Sequence, residues 1–447
     1  MLKAGFAKVD VTPPLGSPLA GYARERISDG ILDPIELVAL AVNDGENTVL
    51  IITADFVGMW ETWATEIRNL ISKETGVPAE NIYLHCLHQH TTVRIGWNLN
   101  VRKEMIPNRF EDETYYNMLY RKYVDVAKMA IDNLCEAKMS VGEQETEEPL
   151  SFIRRYRMKD GSTKTNPSAE EMEQVEGPLG EADNTVRLIH FKREGSKDIA
   201  LVNFSTHPDV IGKTKFTADW PGFVRRTTET DIPNTHCICL NGAEGDANHI
   251  NRTSNPPKMK QFGYAYSAHM GRVITDAVLK MWDHTTEKDV TKVSSQLRMI
   301  YTPTNTALMD QVEKYQKLKD ECRAGTYSPA DMEEYADIFR TAELYTQPLF
   351  QKVPLTVIRI GEVVLIGYGG EPFTKYPADI RKENPDLFVI ASCNTNGEAG
   401  YLPTKEAFAE GGYESKSSNF TEELSDTLKL AVKEMLVSIK NEEREEQ

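Results

Sequence analysis

The sequence predicts an α/β protein with mixed central β-sheets flanked by helices. Two observations carry that expectation. Runs of β-branched and apolar residues alternate along the chain with segments of helical spacing, and the strand runs repeatedly end in polar residues. A strand, helix, strand succession also fits within about 40 residues, the length of a crossover unit that sets its two strands parallel.

"GFAKVDVT", "ELVALAVND" and "NTVLIITADF" read as strands bounded by turn signals. The helix that follows, "ETWATEIRNLISKETG", puts Trp63, Ile67, Leu70 and Ile71 on one face and stops at Gly76 before Pro78. "NIYLHCLH" is again a strand. Asp55 and the histidines His85, His88 and His90 then lie near carboxyl ends of strands, where open α/β sheets gather ligands.

"TVRLIHFKR" and "IALVNFSTHP" read as a hairpin turning at Gly195, with His207 at its exit. "THCICLNG" is a short apolar strand running into the loop "AEGDANHIN", followed by a long helix from about Gln261 to Trp282. "PLTVIRIGEVVLIGYGGEPF" is a further hairpin, turning at Gly361 and Glu362 and ending in a Gly-Gly pair before Glu371. The charged stretch from about Asn305 to Tyr345, broken at "AGTYSPAD", predicts a helical hairpin inserted outside the core. "RIGWNLNVRKEMIPNRF" has the aromatic and basic residues of a pocket-covering loop without periodicity. No linker composition and no repeat at a fixed period divides the chain, so a single domain over residues 1–447 is expected.

A chain of 447 residues with 40% hydrophobic and 27% charged residues is an ordinary folded protein. The net charge of −17 excludes a phosphate-backbone partner, which is held largely by Lys and Arg displacing counterions, so no nucleic-acid partner is expected. No run approaches the roughly 20 apolar residues that span a bilayer, and the amino terminus lacks the apolar stretch of a secretory signal. A cytoplasmic protein without membrane insertion is expected. The six cysteines show no paired metal-ligand spacing and read as reduced core thiols; Cys237 and Cys239 share one strand face and pack there.

"HCLHQH" holds three of the nine histidines within six residues. On an extended strand His88 and His90 share one face while His85 points to the other. Imidazole is both a common zinc ligand and the usual proton carrier near neutral pH. On these residues alone, a functional site and a satisfied polar strand end are equally open. A catalytic zinc often takes two histidines and a carboxylate, for which His207 and Glu371 are candidates, although lone residues of this kind are usually structural.

One set of motifs links these positions. "FAKVDVTPPLGSPLAGYA" with "GILDPIELVALAV", then "TADF", "HQH", "SFIRRY", "FSTHP", "TADWPG", "AEGDAN", "GGEPF" and "GYLPTKEAFAEGGYE" run in order from about Gly5 to Ser415. Together they resemble the catalytic domain of the neutral (non-lysosomal) ceramidases. The resemblance implies an amidohydrolase with one zinc ion in a deep pocket, held by His88, His207, Glu371 and Tyr401. It matches His90 to the second histidine of the HxH motif, sets Tyr413 at the substrate carbonyl and lines the pocket with Arg154, or with Arg155 if the alignment slips by one; beside such a metal His90 is expected to pass a proton to the leaving amine.

The chain also departs from the family. "TTVRIG" rebuilds the wall beside His90, and Asn248 stands near the place of the family's active-site serine. An amide donates a hydrogen bond but is no nucleophile, which makes Asn248 at most an oxyanion donor beside Tyr413 and Arg154. Asp55 and Asp246 either orient the metal histidines or cap local turns. The immunoglobulin-like domain, secretion signal and membrane anchor of full-length ceramidases are not expected here.

The leading expectation is zinc-dependent hydrolysis, by metal-activated water, of the amide of a small soluble N-acyl compound. A zinc esterase or lactonase acting on a carbohydrate-type substrate is the second reading, and a non-catalytic binding protein on the same scaffold the third. Ceramide is disfavoured, because the acidic chain has no membrane-seeking feature.

Overall fold

The structure, a computed structural model, describes residues 1–22, 26–95, 113–252 and 259–442. All but Arg94 and Ile95 of the segment read as a pocket-covering loop lies outside the described residues.

The chain opens with β1 (Lys3–Asp10), β2 (Glu36–Asn43), β3 (Thr48–Ala54), α1 (Glu61–Thr75) and β4 (Ile82–Cys86). Then come α2 (Glu113–Asp132), β5 (Cys135–Glu145), β6 (Thr185–Arg193), β7 (Asp198–Phe204), α3 (Asp219–Asp231) and β8 (Thr235–Asn241). The middle of the chain holds α4 (Tyr264–Trp282), β9 (Val293–Pro303), α5 (Val312–Ala324) and α6 (Met332–Thr341). It finishes with β10 (Phe350–Ile360), β11 (Val363–Tyr368), α7 (Lys375–Glu383), β12 (Phe388–Ser392), α8 (Lys405–Glu410), α9 (Tyr413–Ser417) and α10 (Glu423–Glu442).

The larger sheet runs β8-β7-β6-β5-β1-β2-β3-β4, with a short strand at Thr286–Lys288 added to β5; the smaller runs β9-β10-β11-β12. Within these orders the pairs β3/β4, β7/β8 and β11/β12 are parallel. Each arises the same way: an antiparallel hairpin, then a helix, then a parallel strand. The hairpins read from "TVRLIHFKR" and "PLTVIRIGEVVLIGYGG" and the crossover through α1 are all present. The long helix starts at Tyr264, three residues later than its spacing suggested.

Strand alternation explains the layering. In β2, Leu37, Ala39 and Ala41 pack with Ile67 of α1 and Leu119 of α2, while Val38, Leu40 and Val42 pack with Ile358, Val363 and Leu365 of the smaller sheet. The outer face of the smaller sheet, through Val357, Val364 and Ile366, lies under Leu424, Leu428 and Val432 of α10. Leu188, Val202 and Phe204 meet Trp220 of α3 and Met270 and Ile274 of α4, in the cluster that also buries Cys237 and Cys239. The result is helices, sheet, sheet, helices, with both sheets covered on both faces. That double coverage is why so many strands read as continuous apolar runs.

The two ends of the larger sheet's strand order, β4 and β8, meet at their carboxyl ends. The Asn241 backbone N–H donates to His85 Nε2 at 3.0 Å, Asn241 Nδ2 to the Leu87 carbonyl at 3.1 Å, and His85 Nδ1 lies 2.7 Å from the Cys393 carbonyl just after β12. His85 therefore ties three strand ends together. It accepts on one nitrogen and donates on the other, which requires the neutral ring. Burial pushes its pKa down to about 3.

In the unfolded chain the same ring titrates at its ordinary value, about 6.5. Below that pH the unfolded state takes up a proton that the folded state refuses. The stability due to this group is full above the unfolded value and is lost as pH falls toward 3, at up to about 1.4 kcal/mol per pH unit. Urea unfolding between about pH 4 and pH 7 should show His85→Gln with a pH slope about one proton shallower than the parent chain. Equal slopes would mean that His85 is not the buried neutral buckle described here.

Candidate metal centre

The parallel strands deliver their exits to one place. After β4 the chain does not continue extended: Leu87 N–H bonds Ala54 O at 3.0 Å, His88 N–H bonds Phe56 O at 2.9 Å, and His88 takes a left-handed backbone with φ 73°. The expected placement of His88 and His90 on one face of an extended strand is thus corrected. They converge because the chain kinks at His88, not because of strand alternation. Gln89, between them, turns away and donates to Asp55 Oδ1 at 2.9 Å and the Ala218 carbonyl at 3.2 Å.

The two rings bring His90 Nε2 to 3.2 Å from His88 Nε2. His207, just past β7, places its ring centroid 5.1 Å from that of His88 and 5.6 Å from that of His90. One nitrogen from each of the three lies within 4.8 Å of the others, and all three residues are buried. Glu371, after β11 and the Gly-Gly pair, sets Oε2 3.4 Å from His207 Nε2 and 3.7 Å from His88 Nε2. Its backbone N–H bonds Gly400 O at 2.9 Å, and a parallel bridge pairs Glu371 directly with Tyr401.

The hydrogen bonds fix which ring nitrogens face inward. His207 Nδ1 has only carbonyls beside it, Glu244 O at 2.9 Å and Ala247 O at 3.2 Å, so it carries the proton and Nε2 presents a lone pair. His88 Nδ1, 2.7 Å from the Val57 carbonyl, is held in the same tautomer, with the Asn394 side-chain amide nitrogen 2.9 Å away. His207 Nε2 and Glu371 Oε2 are buried without a hydrogen-bond partner, as is His90 Nδ1. Lone pairs and a carboxylate converging in a buried place are costly unless a positive charge sits among them. Imidazole nitrogens and one carboxylate oxygen, backed by carbonyls on the far ring nitrogens, fit a divalent metal ion.

Where no metal ion is bound, a proton on His207 Nε2 answers the same demand. Burial and Arg154 press the His207 pKa down, but Glu244 and Glu371 outweigh them and bring it to about 8. Burial would raise Glu371, yet His88, His207 and Arg154 hold it down at about 2. His90 goes the other way: burial and then His88 push it well below its ordinary value, which keeps it neutral.

Tyr401 and Tyr413 line one side. Their ring centroids are 5.6 Å apart, and that of Tyr401 is 6.5 Å from His207. Burial raises both phenols, Tyr401 well above the usual range and Tyr413 to about 12. Arg154 lies over the Tyr401 ring at 5.2 Å and pairs with Glu414 at 2.8 Å. Arg155 turns instead to the Gly411 carbonyl at 2.8 Å and to Glu410 at 3.2 Å. Of the two arginines left open by the sequence, Arg154 is the one beside the tyrosines.

Asn248 is held elsewhere. It donates to Asn166 Oδ1 at 3.0 Å and accepts from the Ile250 N–H at 3.0 Å, and none of its described bonds reaches the histidines. Asp246 accepts from the Thr374 N–H and hydroxyl at 2.8 and 3.1 Å, just before α7. Asp55 binds Gln89 and Arg225. Neither carboxylate touches an inward-facing ring; both hold the backbone segments that carry them.

Sequence reasoning passed over Glu244, Asn394 and Glu414. Asn394 follows β12 in "SCNTNG", one more polar strand exit, and Glu414 directly follows Tyr413, so the signal for each was present but unspecific.

No protein-family model matches the chain, and no curated protein matches it in sequence. Solved structures do match. The neutral ceramidase from Pseudomonas aeruginosa superimposes with a TM-score of 0.70 at 16% identity, covering 99% of this chain and 75% of that one. A ceramidase complexed with C2 gives 0.71 at 14% identity with the same coverage. Two chains so far apart in sequence share backbone architecture, and the likeness read from the motifs holds at that level: this chain has the neutral ceramidase fold.

Proposed function

We propose that the chain is a zinc-dependent hydrolase that cleaves the amide of a small N-acyl compound. The observation that carries this reading is the convergence of His88 Nε2, His207 Nε2 and the Glu371 carboxylate in a buried place where His207 Nε2 and Glu371 Oε2 have no hydrogen-bond partner. His88, His207, Glu371 and Tyr401 are the residues that would hold the ion. When bound, zinc supplies Lewis acidity, activating water and polarising a carbonyl.

The protein's own groups do the rest. His90 is neutral and has an unpartnered Nδ1, so it has capacity to pass a proton to the leaving amine. Tyr413, whose raised pKa keeps the phenol protonated, donates to the substrate oxygen as negative charge develops there. Arg154 fixes the Tyr401 side of the site. Asn248 braces the neighbouring turn through Asn166. Amide chemistry is favoured because the similar solved structures are ceramidases.

His90 decides between two versions of the site, because it stands in the same nitrogen cluster as His88 and His207. His90→Ala is expected to keep about one zinc per chain and to lose about 100-fold or more in kcat, the contribution typical of a proton carrier. Elemental analysis beside steady-state rates on N-acyl, O-acyl and lactone substrates checks this. Loss of zinc from that variant would make His90 a ligand, and a parent chain that turns over lactones but not amides would overturn the amide assignment.

A further inference from the structure

His90 is held differently from the histidines around it. His85, His88 and His207 each lean Nδ1 on a backbone carbonyl, at 2.7, 2.7 and 2.9 Å. His90 Nδ1 has no hydrogen-bond partner, and Nε2 has His88 Nε2 beside it at 3.2 Å, itself one of the nitrogens proposed for the ion. No bond to the backbone fixes this buried ring, so its orientation is set by packing.

The packing comes from "SPLAGY", Ser17 to Tyr22. The Ala20 N–H bonds Thr92 O at 2.9 Å, and Arg26 Nη2 donates to the carbonyls of both Ala20 and His90, which ties this segment to the histidine loop. Gly21, in a left-handed backbone with φ 92°, comes so close that a Cβ in its place would lie 2.5 Å from His90 Cγ and 2.8 Å from His90 Cβ. Tyr22 stands edge-on to the imidazole, with ring centroids 5.0 Å apart and planes at 82°. Its hydroxyl donates to Asp209 O at 3.2 Å and the Arg26 guanidinium lies over its ring at 4.4 Å, so the tyrosine is braced at both ends.

We propose that Gly21 and Tyr22 are positioning residues, which hold the His90 imidazole by contact in the orientation it needs for proton transfer. A ring gripped through hydrogen bonds has its nitrogens occupied, whereas a ring gripped by packing keeps them open to take and give a proton. The effect on rate rests on the hydrolase reading; the hold on the ring rests on the contacts alone.

Gly16 supplies the control, because it has φ 89° in the same part of the chain with nothing within 4 Å of a Cβ. Gly16→Ala and Gly21→Ala share the strain of a left-handed alanine, and both chains should unfold at somewhat lower urea. Only Gly21→Ala should displace the His90 ring. Its kcat is expected to fall about 10- to 100-fold, the scale of a small misplacement of a reacting group, with zinc content unchanged and KM within about twofold of the parent. In a His90→Ala chain the same substitution should change kcat by less than about twofold, since no ring is left to move. Tyr22→Ala, which loosens the ring from the other side, should also slow turnover, and Tyr22→Phe should recover most of that loss. The tyrosine pair decides the matter if Gly21→Ala folds poorly.

The ring is also read without turnover, from the Cε1–H signal of His90 in the full chain carrying isotope-labelled histidine, identified by its loss in His90→Ala. That signal should shift in Gly21→Ala and Tyr22→Ala and stay in place in Gly16→Ala. A folded Gly21→Ala with the parent's signal and rate, or an equal loss of kcat from that substitution with and without His90, overturns the proposal. A shifted signal in a chain that hydrolyses no N-acyl, O-acyl or lactone substrate leaves the positioning intact and instead sinks the hydrolase reading.

Discussion

Replacing His207 by alanine is expected to strip the chain of zinc and to lower hydrolysis by about a thousand-fold or more, while His85→Ala keeps the metal. The two histidines are equally buried, so burial alone does not separate them. Their bonds do. Both ring nitrogens of His85 are spent on backbone groups, Cys393 O and Asn241 N–H, which leaves nothing to offer a metal. His207 spends only Nδ1 and aims Nε2 at Glu371 and His88. Losing His207 removes a donor and leaves the Glu371 carboxylate facing one imidazole fewer. Losing His85 leaves a cavity and two unpaired backbone groups, a stability cost of about 2–4 kcal/mol with the metal donors still in place. Zinc content by elemental analysis, read beside urea unfolding, separates these outcomes. A folded His207→Ala chain that keeps one ion and its rate would remove the basis for the proposed site.

Much of this site was legible in the sequence because its residues sit at strand exits, and strands buried on both faces announce themselves as apolar runs. His207 after "VNFST" and Glu371 after "GYGG" stood out as candidates that way, and only the resemblance of the motifs linked them to one another. The pairing of His88 with His90 was anticipated for the wrong reason. Alternation along a strand is a local rule, whereas the left-handed turn at His88 is set by carbonyls of Phe56 and Val57, about thirty residues earlier. Asn394 was out of reach for the same cause: it meets His88 across 306 residues, and no local pattern marks such a partner. The recurring hairpin, helix and parallel strand escaped notice because it recurs in backbone only, with connections of unequal length that leave no period to detect.

The same non-local support makes Asp55 the residue whose loss should cost most stability. Asp55 is fully buried and holds Arg225, itself 3% exposed in its side chain, through contacts of 2.9 and 2.6 Å. It also receives the Glu36 N–H at 3.0 Å and Gln89 Nε2 at 2.9 Å, so one carboxylate joins β2, the exit of β3, α3 and the loop between the two site histidines. Asp55→Ala would leave a buried guanidinium with only Glu36, 3.4 Å away, to answer it. Removing one partner of a buried pair costs about 3–5 kcal/mol, and the remaining glutamate places the expected loss toward the lower end. Gln89 would lose its anchor at the same time. The His88 to His90 loop would then be less well held, and zinc affinity should fall about 10- to 100-fold, as when supporting partners of a metal site are removed. A second substitution separates the two effects. Asp55→Ala combined with Arg225→Met removes the stranded charge and should recover most of the stability, yet it cannot restore the bond to Gln89, so the affinity should stay low. Urea unfolding and a zinc competition titration on the parent, single and double variants make the comparison. If the double variant recovered affinity together with stability, Asp55 would serve the fold alone, and the link from this buried carboxylate to the metal loop would have to be given up.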